Sequence, residues 1–175
     1  MAKNIPLSTI GIRIGYKVET ASDARDGKTP AKGDYTHIHG IYSTPDFNAA
    51  PSTADATSFD NEEYTTKISL LKEIPDNLEF GVRLGQAFVD EWDDLITAYE
   101  TGIKSQFETW FMIDIPELDK SIFFTGKPLK LGLPSMEANS GIDMTAYISP
   151  TGEPQFIDDV TTGDDKRVIA EEQNK

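Results

Sequence analysis

The sequence predicts a mainly β domain, an antiparallel sandwich or barrel flanked by one amphipathic α-helix and carrying long loops. Three observations predict it. Apolar and polar residues alternate with period two over residues 10–18, 78–84 and 142–149, the pattern of strands with one buried face. A single strong stretch, residues 86–101, repeats with the helical period instead. The chain of 175 residues, 38% hydrophobic and 10% aromatic, is long enough to bury a core of its own and too apolar for a disordered polymer.

In the first strand, Ile10, Ile12, Ile14, Tyr16 and Val18 alternate with Gly11, Arg13, Gly15 and Lys17. Residues 19–35 are polar, with turn signals at Asp26-Gly27, Pro30 and Gly33, and predict an exposed loop. Residues 37–42 predict a short second strand. Residues 43–58 are long and irregular, with Pro45 and Pro51. A loop of that length in a compact domain is usually functional or disordered, and its apolar Phe47, with Phe59 just beyond, implies docking on something. Residues 64–72 and 78–84 predict a β-hairpin turning at Ile74-Pro75-Asp76-Asn77.

In the helix at 86–101, Phe88, Trp92, Leu95, Ile96 and Tyr99 form one apolar stripe that predicts packing on the core. Asp90, Glu91, Asp93 and Asp94 lie early, where carboxylates suit the helix dipole. Gly102 is expected just past the end, with Ile103 making the hydrophobic contact beyond it. Strands follow at 107–115, 121–131 (with Gly126 and Pro128 marking a bend) and 142–149, before Pro150-Thr151-Gly152-Glu153-Pro154 interrupts the pattern. The expected division is a β domain over residues 1–157 and an acidic polar C-terminal tail over 158–175.

Lys and Arg number 16 and Asp and Glu 30, a net charge of −14. Tight nucleic-acid binding is disfavoured because phosphates are repelled, although a protein that lets nucleic acid pass without sticking is compatible with the charge. The absence of cysteine removes disulfides, thiolate metal sites and thiol nucleophiles. No apolar run approaches the ~18 residues of a membrane span, and the alternating N-terminus does not read as a secretion signal.

The candidate chemical motifs are weak. Gly27-Lys28-Thr29 ends like a phosphate-binding loop, but Ser22 stands where the motif needs its first glycine. His37 and His39 share a strand face at metal-ligand spacing. Without a third imidazole a site there would need carboxylates, and the simpler reading is two polar residues on a wet face. The pairs Asp93-Asp94, Asp158-Asp159 and Asp164-Asp165 are adjacent in sequence, so their side chains point apart. Residues 46–63 lack the spacing of a calcium loop, and there is no nucleophile-elbow motif. Trp92 and Trp110 read as core rather than as a ligand platform. The expectation is no enzyme, no metal and no cofactor.

Several segments carry a family resemblance: ADATSFDNEEYTTKI at 54–68, FVDEWDDLITAYETG at 88–102, TWFMIDIPELDKSIFFTGKPLKLGLP at 109–134 and MTAYISPTGEPQF at 144–156. Together they resemble the major tail tube protein of non-contractile, long-tailed (siphovirus-type) bacteriophages. That resemblance implies a tail-tube β domain that forms homohexameric rings, stacked into a hollow conduit for DNA delivery. It implies partnership with a tape measure protein and with tail terminator and initiator proteins, and DNA in the lumen without specific binding. It also implies residence in the virion tail after assembly in the host cytoplasm, with no membrane insertion by this chain. Phe47, Pro51 and Phe59 become candidates for an assembly loop, and Glu79 and Asp143 for an acidic lumen lining. The alternatives are a tube subunit of a headless, tail-like bacteriocin and a monomeric β-sandwich that binds a ligand on its loops.

Overall fold

The computed structural model describes residues 11–26, 30–47, 53–55, 67–69, 75–116, 118, 120–134 and 141–158. The strands are β1 (Arg13–Val18), β2 (Thr36–Ile38), β3 (Ile41–Ser43), β4 (Thr53–Asp55), β5 (Lys67–Ser69), β6 (Leu78–Arg83), β7 (Thr109–Asp114), β8 (Lys120–Pro128), β9 (Asp143–Pro150) and β10 (Gln155–Asp158). Helix α1 spans Ala21–Asp26, helix α2 spans Gln86–Lys104, and a 3-10 turn covers Lys32–Asp34.

Eight strands form one antiparallel sheet in the order β2-β1-β7-β8-β9-β6-β3, with β10 also on β8. The end strands β2 and β3 are consecutive in the chain, separated by His39 and Gly40 alone. One kinked segment therefore pairs β1 with its first half and β6 with its second, so the sheet curls until its ends meet through the backbone. The kink needs the glycine, because Gly40 has φ +81°, a left-handed conformation that costs side-chain-bearing residues free energy. β8 makes the other corner. Ile122 to Thr125 pair with β7, whereas Gly126, Lys127 and Pro128 pair with β9. The result is a barrel-like β fold with one long helix of 19 residues.

Period two sends alternate side chains inward. Ile14 and Tyr16 of β1, Leu78, Phe80 and Val82 of β6, Phe111 and Ile113 of β7, Phe124 of β8 and Ala146 and Ile148 of β9 join one core with Phe88, Trp92, Leu95 and Ile96 of α2. Inside it, Phe111 stacks on Phe124 with ring centroids 5.3 Å apart. A second cluster covers the opposite face of β7 and β8, where Tyr35 packs on Met112 and Phe123. β7 is consequently buried on both faces.

Several expectations are corrected. The segment 19–35 is not a plain exposed loop: it holds α1 and the 3-10 turn, and delivers the buried Tyr35. α1 is set by a local cap, as Thr20 N–H donates to Asp23 Oδ2 at 2.9 Å and Lys17 Nζ reaches the same carboxylate at 3.2 Å. The strand expected at 37–42 is two strands with different partners. Residues 53–55, expected to be irregular, form β4, which pairs with β5. The expected hairpin of 64–72 with 78–84 does not form, because β6 pairs with β9 and β3 instead. α2 runs past residue 101 to Lys104, with Gly102 buried inside it rather than beyond it. Thr109, not residue 107, opens β7, and β10 was not expected.

Candidate functional site

The described surface offers faces, edges and a protruding segment rather than a cleft with convergent catalytic groups. Among the described residues, no group of three or more His, Cys, Asp or Glu side chains is placed to hold a metal ion. No described helix is long and apolar enough to cross a membrane.

α2 is clamped to the sheet by more than its stripe. Phe88, Trp92, Leu95 and Ile96 are buried, whereas Tyr99 is only half-buried, and Ala98 packs against the core one position earlier. Trp92 Nε1 donates to the Leu129 carbonyl at 3.0 Å, fixing the helix to the chain leaving β8. At the β2–β3 kink the His39 backbone N–H donates to Glu91 Oε2, and His39 Nδ1 meets Glu91 Oε1, each at 2.7 Å. His39 thus lies outside the strand that holds His37, and both are exposed. The outward face of α2 is acidic, with Asp90, Asp93, Asp94 and Glu100 exposed.

Glu79 and Asp143 stand on the outer face of the sheet half formed by β3, β6, β9 and the end of β8. Register places Glu79 opposite Tyr147, Arg83 opposite Asp143 and Lys127 opposite Ser149. Asp143 Oδ1 accepts from Arg83 Nε at 3.4 Å, and both side chains are largely exposed. Arg83 also lies over the Tyr42 ring, 5.9 Å from its centroid. Arg83 and Lys127 thus share this face with the two carboxylates, and Asp46 lies beside Glu79 in a recess also lined by Tyr42, Asn77 and Thr145.

Of the assembly-loop candidates, Phe47 turns inward. Its ring lies 5.6 Å from that of Phe124 and packs against the main core, so this end of the loop stabilises the subunit itself. Pro51 and Phe59 lie outside the described residues, as does the tail beyond Asp158. Trp110 is half-buried and donates Nε1–H to Glu19 Oε1 at 2.8 Å.

The structure adds surface features that the sequence reading missed. Leu133 is 98% exposed on the segment after β8, and Phe156 is 62% exposed on β10. β10 pairs with β8 along one side. Alternation in KPLKLGLP and the aromatic in QFID were the available signals, but both read equally well as buried strand.

No protein-family model matches the sequence, and no curated protein matches it. Among solved structures, the chain is similar to a chain of the anti-feeding prophage baseplate, determined by cryo-EM with 6-fold symmetrisation. The TM-score is 0.50 at 7% identity, over 89% of this chain and 98% of that chain, a similarity of fold along nearly the whole length of both.

Proposed function

We propose that this chain is a structural, non-enzymatic subunit of a phage-tail-like particle. It assembles with itself into hexameric rings, which stack into a hollow tube that conducts DNA into the host cell. The observation that carries this reading is the fold similarity to the anti-feeding prophage baseplate chain over 98% of that chain, in line with the tail-tube resemblance of the sequence. The surface supports it. Tyr42, Leu133, Tyr147 and Phe156 are exposed, and the outer edges of β2 and β3, which pair with no further strand among the described residues, are templates for a second chain.

On this reading the tape measure, terminator and initiator proteins are the neighbours at the tube's ends and in its lumen. The chain then belongs to the virion tail and is assembled in the host cytoplasm. The net charge of −14 gives passing DNA few cationic sites to grip. A second reading, a ring subunit of the baseplate of a headless tail-like particle, is favoured by the source of the structural neighbour. Gel filtration with negative-stain microscopy at rising protein concentration separates self-assembly from the rival monomeric module. Rings or tubes are the expected result, and a monomer at every concentration contradicts the proposal.

A further inference from the structure

The second apolar cluster, outside the main core, is closed by a single side chain. On the outer face of β7 and β8, Met112 and Phe123 are each 1% exposed, with Trp110 and Ile157 half-buried at the margin. The ring of Tyr35 packs over them, its centroid 5.7 Å from that of Phe123. Gly15 of β1 makes room for it: a Cβ there would lie 3.2 Å from Tyr35 Cβ and 3.0 Å from the Thr36 carbonyl oxygen.

The seat suits an apolar ring, yet it receives a phenol. The Tyr35 hydroxyl is buried and has no hydrogen-bond partner among the described residues, a penalty on closing that a phenylalanine would not carry. Burial first, and then the Asp34, Asp23 and Glu19 carboxylates, push its pKa up, so the hydroxyl keeps its proton at neutral pH and remains an unused donor. The restraints on the segment are slight. Lys17 Nζ pairs with Asp23 and with Asp34, each at 3.2 Å and with partly exposed carboxylates, a kind of pair that stabilises little. β2, which follows Tyr35, pairs with β1 through Thr36, His37 and Ile38. Within this stretch Ile38 is the residue that reaches the main core.

We propose that Tyr35 is a metastable latch: together with the 3-10 turn Lys32–Asp34 it leaves its seat while the barrel stays folded, wetting its hydroxyl and uncovering Met112 and Phe123. A segment with few apolar anchors opens locally at a lower free energy than the whole domain, and the unpaired buried hydroxyl lowers it further. Ile38 stays in the main core and acts as the hinge. The open form presents an apolar strip that the closed form hides. This inference stands apart from the self-assembly reading, since it needs one copy of the chain alone.

The test is the initial rate of Met112 oxidation by hydrogen peroxide in the full chain, followed by mass spectrometry. The thioether takes one oxygen atom from the peroxide, which leaves as water, and becomes a sulfoxide. Its rate follows the fraction of molecules open at Met112. In the wild type the rate should exceed what the global unfolding equilibrium allows. It should also respond weakly to low urea, because a local opening exposes little surface. Tyr35→Phe keeps the ring and removes the hydroxyl, and should slow the oxidation about tenfold, the scale of an unpaired buried polar group. Met112 oxidation that is limited by global unfolding, with the same urea dependence, overturns the latch. An unchanged or faster rate in Tyr35→Phe also overturns it, since the closed form would then satisfy the hydroxyl. A Tyr35→Phe chain that fails to fold has the same meaning.

Discussion

Gly102 lies in the last turn of α2, where glycine costs at most the ~0.5–1 kcal/mol relative to alanine of a helix interior. A Cβ there would sit 2.4 Å from Val18 Cγ1, so the helix reaches β1 only because this residue has no side chain. Valine is stiff about χ1 and cannot easily give way, so overpacking of ~1–3 kcal/mol outweighs the propensity gain. Gly102→Ala is therefore expected to destabilise the subunit in urea unfolding, and Val18→Ala in the same chain should recover part of the loss. An increase in stability for Gly102→Ala alone would refute the close approach. At Asp23, the backbone N–H of Thr20, then its hydroxyl, and Lys17 hold the carboxyl below its ordinary value of 3.8. A depressed carboxyl stabilises the fold above its unfolded-state pKa, and the contribution is lost as pH falls through the folded value. The α1 amide resonances should consequently shift towards coil only below pH 3.8, while those of β7 hold. Asp23→Ala should cost ~0.5–1 kcal/mol at neutral pH, the scale of a lost cap.

The elements differ in how far the sequence discloses them, and the reason is how local their determinants are. α2 shows in Phe88, Trp92, Leu95 and Ile96 because one buried stripe against a solvated face leaves a 3.6-residue period. β6 and β9 show in the same way with period two, having one core face and one wet face. β7 is buried on both faces, so its strand character shows but its alternation does not. The β2–β3 kink is invisible because its two halves differ only in distant partners, β1 and β6. The β6 hairpin fails for the same reason: Ile74-Pro75-Asp76-Asn77 permits a turn, but β9 is the better partner for Leu78, Phe80 and Val82. Trp92→Ala should lower stability by ~3–5 kcal/mol, as large-to-small core changes do. Trp92→Phe should lose less, chiefly the bond to the Leu129 carbonyl, worth ~0.5–1.5 kcal/mol. Phe47→Ala should also destabilise the isolated subunit, because its ring packs on Phe124. An unchanged melting temperature for Phe47→Ala would return that residue to a purely intermolecular role.

At the scale of the whole molecule, the candidate surfaces were the least legible part of the sequence. Composition discloses the net charge but not its placement. The sequence offers Glu79 and Asp143 as an acidic lining but does not disclose that folding places Arg83, Lys127 and Asp46 around them. Leu133 sits in an alternating run that predicts burial, and only the departure of the chain from β9 exposes it. Charge also sets how assembly responds to salt. Each subunit carries −14, so repulsion between copies dominates at low ionic strength. Screening over ~8–10 Å near physiological salt should then promote assembly, seen as larger species by light scattering as salt rises. Dissociation with added salt would mean that short-range ion pairs outweigh the net charge. The central claim, a subunit that builds a hollow tail-like assembly, is tested most directly by cryo-EM of the concentrated protein viewed down the assembly axis. The account predicts closed six-membered rings around an open lumen, stacked in side view. Solid aggregates, two-fold dimers or monomers alone would contradict it.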